Sequence, residues 1–301
     1  MGTSSFSGGP TRGSSLLPPW ADEIDGDAPT DDVQNDDVPD EQHPNDQPES
    51  EPNDSQDSAE TPSPQHPPDT NKPTIDYSPV NRQVRNYVSG GSGAGAGRIA
   101  RSYVQGLGGS SRAAQASAAG RRATAGLAGF ARDIVGAGLL QALERLNLGS
   151  CIGEPPATAL AKVAEAIVQD ANNVDDREAA RAATRKTLID LHEKIAEGSG
   201  DLTALESMTT ENIGDLVHAS VENYIYERIM QVVERAFERE QYEASKLVQL
   251  EVELRDYIEL DVRRALRAID IVDFDWNSPS SQAMTTSLYA NAFEIWEAMH
   301  T

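Results

Sequence analysis

The sequence predicts an all-α protein in which a long, disordered acidic tail and a Gly/Ala/Arg-rich helical segment precede a C-terminal helical bundle. Three observations lead to this prediction. Apolar residues recur at steps of three and four through 148–301, which is the helix period. Residues 81–147 are rich in Gly, Ala and Arg, and residues 1–80 carry 18 Asp or Glu against Arg12 and Lys72.

Charge and composition divide the chain into four predicted segments. The acidic stretch has many prolines and few aliphatic residues, so it cannot bury a core. It serves as a spacer, or it mimics nucleic acid or shields the basic part of the same chain. We predict an N-terminal recognition and modification tail (1–20), a disordered acidic linker (21–80), basic partner-binding helices (81–147) and a helical bundle domain (148–301).

The middle segment predicts short helices. The phrases NRQVRNYV at 81–88 and GRIARSYVQGL at 97–107 place Arg, Tyr and Val in the same order, and a Gly-rich hinge joins them. The following stretch, up to 149, carries small residues at helical spacing, which let another helix approach closely. Each interior glycine costs a helix about 1 kcal/mol. We therefore expect these helices to need a partner surface to become ordered.

The C-terminal helices are predicted from apolar spacing and end signals. Thr209 or Thr210 is expected to cap the longest of them, and Asp175 or Asp176 the helix before it. One segment, IDIVDFDW at 269–276, has the sequence pattern of a β-strand. The predicted helices run from Pro156 to about Asp170, from Asp176 towards Glu197, from Thr210 to Arg239, from Glu243 to Ile269, and from Ser278-Pro279 onwards.

Sequence patterns argue against an enzyme with a metal or cofactor of its own. The five histidines show no ligand spacing, and no nucleophile elbow or phosphate-binding loop is present. A single cysteine, Cys151, predicts a buried, inert thiol and a cytoplasmic protein. No apolar run is long enough to cross a membrane. The mixed charges at 251–267 predict a solvated face with salt bridges.

The N-terminus has the properties of a reactive substrate. Gly2 follows the initiator methionine, whose removal exposes an unhindered α-amine with a pKa of roughly 7.7 to 8.0, so part of it is neutral and nucleophilic near pH 7. A Gly/Ser spacer then leads to Leu16-Leu17-Pro18-Pro19-Trp20, an apolar, polyproline-type cluster of the kind that partner proteins bind.

The middle segment contributes one cluster of positive charge. It is predicted to contact an acidic partner or the acidic part of this chain, and nucleic acid is the alternative. Few aromatic residues accompany it, which argues against stacking on single strands. The predicted contact residues are Arg98, Arg101, Arg112, Arg121 and Arg122.

The opening residues carry a family resemblance. MGTSSFSGGP followed by LLPPW resembles the start of the B component of the bacterial Qat anti-phage defence system, and the YVSGG phrase at 87–91 is similar to the middle of that family. The resemblance implies a non-enzymatic subunit that works beside an ATPase, a QueC-like enzyme and a TatD-like nuclease.

The resemblance also implies a chemistry for the N-terminus. QueC-type enzymes activate a 7-deazaguanine carboxylate with ATP and let an amine attack it. If the enzyme accepts a protein amine, Gly2 would carry a covalent 7-deazaguanine amide. Thr3 and Ser4 would then enter the partner's active site, and Leu16, Leu17, Pro18, Pro19 and Trp20 would dock outside it. The alternative is a nucleic-acid-binding adaptor that uses the arginine-rich middle segment.

Overall fold

The computed structural model describes residues 75–168, 173–196, 200–269, 271 and 274–298. These residues lie in one compact unit, 68–301. They are predominantly helical and contain no strand, which confirms the all-α prediction. The acidic tail up to residue 74 lies outside the described residues.

Ten α-helices form the described part of the chain, together with two 3₁₀ turns at Gly149–Gly153 and Leu202–Ser207. The helices are α1 (Ser78–Val88), α2 (Ala96–Leu107), α3 (Ser110–Ala116), α4 (Ala118–Ala137), α5 (Leu139–Arg145), α6 (Pro156–Ile167), α7 (Val174–Ala196), α8 (Thr210–Glu240), α9 (Ala244–Leu266) and α10 (Ser281–Ala298).

The long helix α8 is the centre of the core. It begins as predicted after Thr209, whose backbone N–H donates to the Asn212 side-chain oxygen at 2.8 Å. It contacts α1, α4, α7, α9 and α10. Its apolar side chains, among them Val221 and Ile225, are fully buried. The other helices therefore assemble around α8.

The first two helices form a hairpin that packs on the rest of the core. The Asp76 N–H donates to the Gly106 carbonyl at 3.0 Å, which brings the start of α1 to the end of α2. A Cβ atom on Gly106 would lie 2.3 Å from the Asp76 carbonyl oxygen, so this approach requires glycine. Tyr77 and Tyr103 stack with 6.0 Å between ring centroids. Both short helices predicted here are confirmed.

Small residues let α4 lie directly against α8. A Cβ atom on Gly120 would come within 2.5 Å of the Tyr224 ring. Deeper in the same interface, the Thr124 hydroxyl lies 2.8 Å from the Ser220 hydroxyl and 3.1 Å from the Tyr289 hydroxyl. The helix also contacts α7 and α10. The partner surface that the glycine content predicts is thus present within this chain.

The predicted cap of α7 is wrong for both aspartates. Asn173 accepts the Asp176 N–H at 3.2 Å, so the capping side chain lies further towards the N-terminus. Asp175 instead forms an ion pair with Arg235 at 2.6 Å. Asp176 is 3% exposed and its carboxylate accepts the Ala119 N–H at 2.9 Å. It therefore satisfies the first turn of α4, not its own helix.

Two predictions near the C-terminus are corrected. The segment 269–276, predicted to resemble a strand, contains no strand among its described residues. Trp276 is buried there, and its indole N–H donates to the Ile271 carbonyl at 3.2 Å. The last helix begins at Ser281 and not at Ser278, because the Ser278 hydroxyl donates to the Asp275 carbonyl and holds a turn there.

Helix α9 ends at Leu266, three residues before the predicted end. Asp261, predicted to lie on a solvated face, is buried and accepts the Trp296 indole N–H at 2.8 Å. Arg263 and Glu259 do form the expected salt bridge, at 2.8 Å. The prediction that Cys151 is buried is confirmed.

Candidate functional site

The predicted modification and docking residues lie outside the described residues. These are Gly2, Thr3, Ser4, Leu16, Leu17, Pro18, Pro19 and Trp20. Their roles therefore stay predictions.

The five predicted contact arginines lie on three helices. Arg98 on α2, Arg112 on α3 and Arg122 on α4 are exposed. Arg101 and Arg121 are half-buried, and the Arg121 guanidinium donates to the Thr286 hydroxyl of α10. Three of the five are thus open to a partner, while Arg121 also ties α4 to α10.

A cleft lined by both charged and apolar side chains lies where α7, α8 and α9 meet. Its volume is about 680 Å³. Leu191, Leu216 and Ala219 contribute an apolar part of its lining. Charged side chains of both signs supply much of the rest: Lys186, Lys194, Arg255, Arg263 and Arg267, with Asp190, Asp215, Glu222 and Glu259.

Glu222 is a carboxyl group of this cleft with a raised pKa. Burial raises its pKa to about 7, and the neighbouring charge of Glu259 acts in the same direction. Arg263 and Arg255 oppose the shift, but the Arg263 Nε atom stays 3.9 Å from the Glu222 carboxylate. Near pH 7 Glu222 therefore exists in both protonation states.

Arg255 forms another part of the cleft wall. Its guanidinium lies 3.8 Å from the centroid of the Tyr226 ring and donates to the Asn223 side-chain oxygen at 3.3 Å. Asn223 in turn donates to the Thr187 hydroxyl at 3.0 Å. This chain of contacts joins α9, α8 and α7, so it fixes the shape of the cleft.

His218 lies beside these groups on α8. Burial lowers its pKa, although Asp215 acts in the opposite direction. Its Nε2 atom is buried and has no hydrogen-bond partner among the described residues. At neutral pH the imidazole is therefore uncharged.

The cleft combines charged groups of both signs with a carboxyl group, Glu222, that can exchange a proton near pH 7. No group of side chains in the described part of the chain could hold a metal ion. The site has no local sequence pattern from which it could be predicted, because Glu222 and Arg263 are 41 positions apart. The available signal was the mixture of carboxylates and arginines on the predicted helix 243–269.

A comparison with protein families shows to which family this chain belongs. The model of the Qat anti-phage system associated protein QatB matches residues 108–296, well over half of the sequence. The chain belongs to the QatB family. The matched part begins just before α3 and reaches the last turn of α10, so it includes the cleft. The predicted membership of this family is thereby confirmed; the opening residues lie outside the matched part.

Membership of the QatB family associates the protein with the Qat anti-phage system and with the other components of that system. Neither the comparison with curated proteins nor that with solved structures gives a match. Within the described ranges, every helix is too short or too polar to span a bilayer.

Proposed function

We propose that this chain is a non-enzymatic subunit of the Qat system whose Gly2 amine is a substrate for a QueC-like partner. The observation that carries the proposal is the opening sequence, in which a glycine amine, a Gly/Ser spacer and the LLPPW cluster follow one another in a chain of the QatB family. The four segments predicted above would then divide substrate, linker, partner contact and helical body.

The proposed modification is an acyl transfer. The partner joins the carboxylate of 7-carboxy-7-deazaguanine to AMP, with release of pyrophosphate from ATP. The neutral Gly2 amine attacks the acyl carbon, AMP leaves, and the nitrogen loses a proton as the amide bond forms. The α-amine suits this role because its pKa of roughly 7.7 to 8.0 leaves a larger neutral fraction than a lysine amine has.

The residues around the amine would position it. Thr3 and Ser4 follow Gly2 into the partner's active site, where a β-carbon on the first residue would crowd the tetrahedral centre. The cluster from Leu16 to Trp20 docks outside that site, and its two prolines reduce the ordering entropy that binding costs. An ATPase and a TatD-like nuclease would complete the assembly.

The proposal is tested by intact mass and N-terminal peptide mapping of the protein from cells that carry the whole operon. We expect a mass increase confined to Gly2 that disappears when the QueC-like enzyme is deleted. Gly2→Val should abolish it, whereas Gly9→Val, which changes a glycine of the spacer, should retain it. An unmodified wild-type N-terminus in the complete system would refute the proposal.

A second function is favoured by the exposure of Arg98, Arg112 and Arg122. These side chains are free to approach phosphate groups, so the arginine-rich segment would act as a nucleic-acid adaptor. A gel shift of the full chain that weakens steeply with salt would support this function. If the full chain does not bind nucleic acid even at low salt, this function is excluded.

A further inference from the structure

The cleft between α7, α8 and α9 carries positive charge along two of its walls. On α7, Lys186, Asp190 and Lys194 follow each other at steps of four and line the cleft. Helix α8 contacts both other helices and contributes Glu222. The α9 wall repeats the spacing of four with three arginines and one carboxylate: Arg255, Glu259, Arg263 and Arg267. The two walls therefore bring five cations into one cleft.

Three of the four carboxyl groups that line the cleft are already bound by its cations. Lys186 pairs with Asp190 at 2.5 Å, Lys194 with Asp215 at 2.7 Å and Arg263 with Glu259 at 2.8 Å. Arg255 and Arg267 have no ion-pair partner among the described residues. The lining therefore has a net charge of +2 when Glu222 is protonated and +1 when it is ionised.

Two of the arginines lie near the carboxyl group of Glu222. Its side chain is only 13% exposed, and the Arg263 Nε atom lies 3.9 Å from it, beyond hydrogen-bond distance. Arg255 acts on the same carboxyl group, and its guanidinium is held 3.8 Å from the centroid of the Tyr226 ring. A guanidinium has five N–H donors, so both arginines retain donors for a further acceptor.

We propose that this cleft binds a small organic phosphate monoester, whose phosphate lies between Arg255 and Arg263 and accepts a hydrogen bond from the protonated carboxyl group of Glu222. The two negative charges of such a phosphate match the net charge of the cleft, whereas a single carboxylate would leave one positive charge unmatched. Guanidinium groups are also well suited to phosphate oxygens.

The size of the cleft indicates a ligand larger than the phosphate group. Its volume of about 680 Å³ is in the range of small-molecule sites. Leu191, Leu216 and Ala219 supply an apolar part of the lining, which the organic part of the ligand would contact. We therefore expect an organic phosphate to bind more tightly than inorganic phosphate.

Glu222 makes this binding depend on pH. The free carboxyl group has a pKa of about 7, and its ionised form would repel the phosphate. Burial lowers the pKa of His218, so that imidazole stays uncharged above pH 7. The other charged groups of the cleft around Glu222 are Lys186, Asp190 and Lys194 of α7, Asp215 of α8, and Arg255, Glu259, Arg263 and Arg267 of α9. Binding should thus weaken as Glu222 loses its proton.

This inference goes beyond the proposed function and does not depend on it. It concerns side chains of α7, α8 and α9, whereas the proposed modification concerns Gly2. Ligand binding in the cleft and the mass of the N-terminal peptide are measured separately, and each can fail without the other.

Isothermal titration calorimetry of the full-length chain with phenyl phosphate tests the proposal. We expect about fivefold weaker binding at pH 8 than at pH 7, because the protonated fraction of Glu222 falls from about a half to about a tenth. The probe itself stays a dianion, since its second pKa is about 6. Glu222→Gln, whose amide donates at both pH values, should bind equally at both. Glu206→Gln, at an exposed position outside the cleft, should follow the wild type.

Adjacent arginines provide a matched test of the phosphate position. Arg263→Gln should weaken binding of phenyl phosphate about tenfold or more, because a charged donor is lost. Its side chain is 64% exposed, so the fold tolerates the change. Arg264→Gln is the control: Arg264 is exposed on the same helix and does not line the cleft, so binding should change less than twofold. Circular dichroism shows that each variant retains its helices.

Four outcomes would overturn the proposal. Phenyl phosphate could fail to bind the wild type at millimolar concentration. Inorganic phosphate could bind as tightly, which would show attraction of an anion without recognition of its organic part. Arg264→Gln could weaken binding as much as Arg263→Gln, which would place the phosphate outside the cleft. The pH dependence could also persist in Glu222→Gln, which would remove the role of the Glu222 proton.

Discussion

The carboxylate of Asp176 accepts a hydrogen bond of 2.5 Å from the hydroxyl of Tyr224, and both groups are buried. The same carboxylate accepts the Ala119 N–H, so one side chain of α7 connects the start of α4 with the middle of α8. Burial and the charge of Asp176 raise the pKa of Tyr224 far above its usual value, so the phenol stays protonated and continues to donate.

Asp176→Ala should lower the free energy of unfolding by about 3 kcal/mol, because the Ala119 N–H and the Tyr224 hydroxyl both lose a buried acceptor. Urea denaturation measures the loss. Asp175→Ala is the control: its ion pair with Arg235 is largely exposed, so it should cost less than about 1 kcal/mol. Equal losses for the two variants would contradict the role of Asp176.

Gly120→Ala should destabilise the protein by about 1 to 3 kcal/mol, because the new methyl group would meet the Tyr224 ring at 2.5 Å. Gly136→Ala lies in the same helix with no heavy atom within 4 Å of the added Cβ. There alanine should stabilise the helix by about 0.5 to 1 kcal/mol. Thermal unfolding of both variants checks the contrast, and a neutral Gly120→Ala would disprove the close packing of α4 on α8.

The raised pKa of Glu222 predicts a pH dependence of stability. Its ordinary pKa is 4.5 and its folded value is about 7, so between these pH values the unfolded chain binds fewer protons than the folded chain. Stability relative to Glu222→Gln should therefore fall as the pH rises from 4.5 to 7 and level off above. We expect a change of about 1 to 2 kcal/mol after allowing for partial exposure.

Urea titrations of the wild type and of Glu222→Gln at several pH values measure this change. Glu206→Gln, at an exposed position, serves as the control and should follow the wild type. Parallel curves for the wild type and Glu222→Gln would show that Glu222 does not titrate in this range.

The exposed and half-buried arginines should respond differently to substitution. Changing Arg98, Arg112 and Arg122 together to glutamine should weaken binding of an acidic partner while stability stays within about 0.5 kcal/mol. Arg121→Gln should instead lower stability by about 1 kcal/mol, because the hydrogen bond to Thr286 is lost. Pull-down of the partner from cells with the operon measures binding, and urea denaturation measures stability. If Arg121→Gln weakens capture of the partner and the triple substitution does not, the assignment of contact and structural arginines is reversed.

The sequence predicts a helix well where the residues that begin it lie within or next to the helix itself. The start of α8 at Thr210 and the start of α6 at Pro156 follow from local capping and proline rules. The α1 and α2 helices follow from their amphipathic repeat. In each case the signal lies within a few residues of the element.

Other features could not be predicted because they depend on distant partners. Asp176 resembles a cap of α7 in sequence, yet its partners are 48 and 57 positions away. Asp261 has the composition of a solvated face, but Trp296 of α10 buries it. The cleft around Glu222 likewise arises when α7, α8 and α9 meet, and only packing brings its charges together.

The position of α8 among five other helices has a consequence for amide hydrogen exchange. Helices α1, α4, α7, α9 and α10 contact α8, and the side chains of Val221 and Ile225 in its middle are fully buried. We expect the backbone amides near these residues to exchange with deuterium only when the whole unit unfolds. Their exchange rate therefore measures global stability in a single experiment, and a ligand that binds the folded unit should slow all of them together.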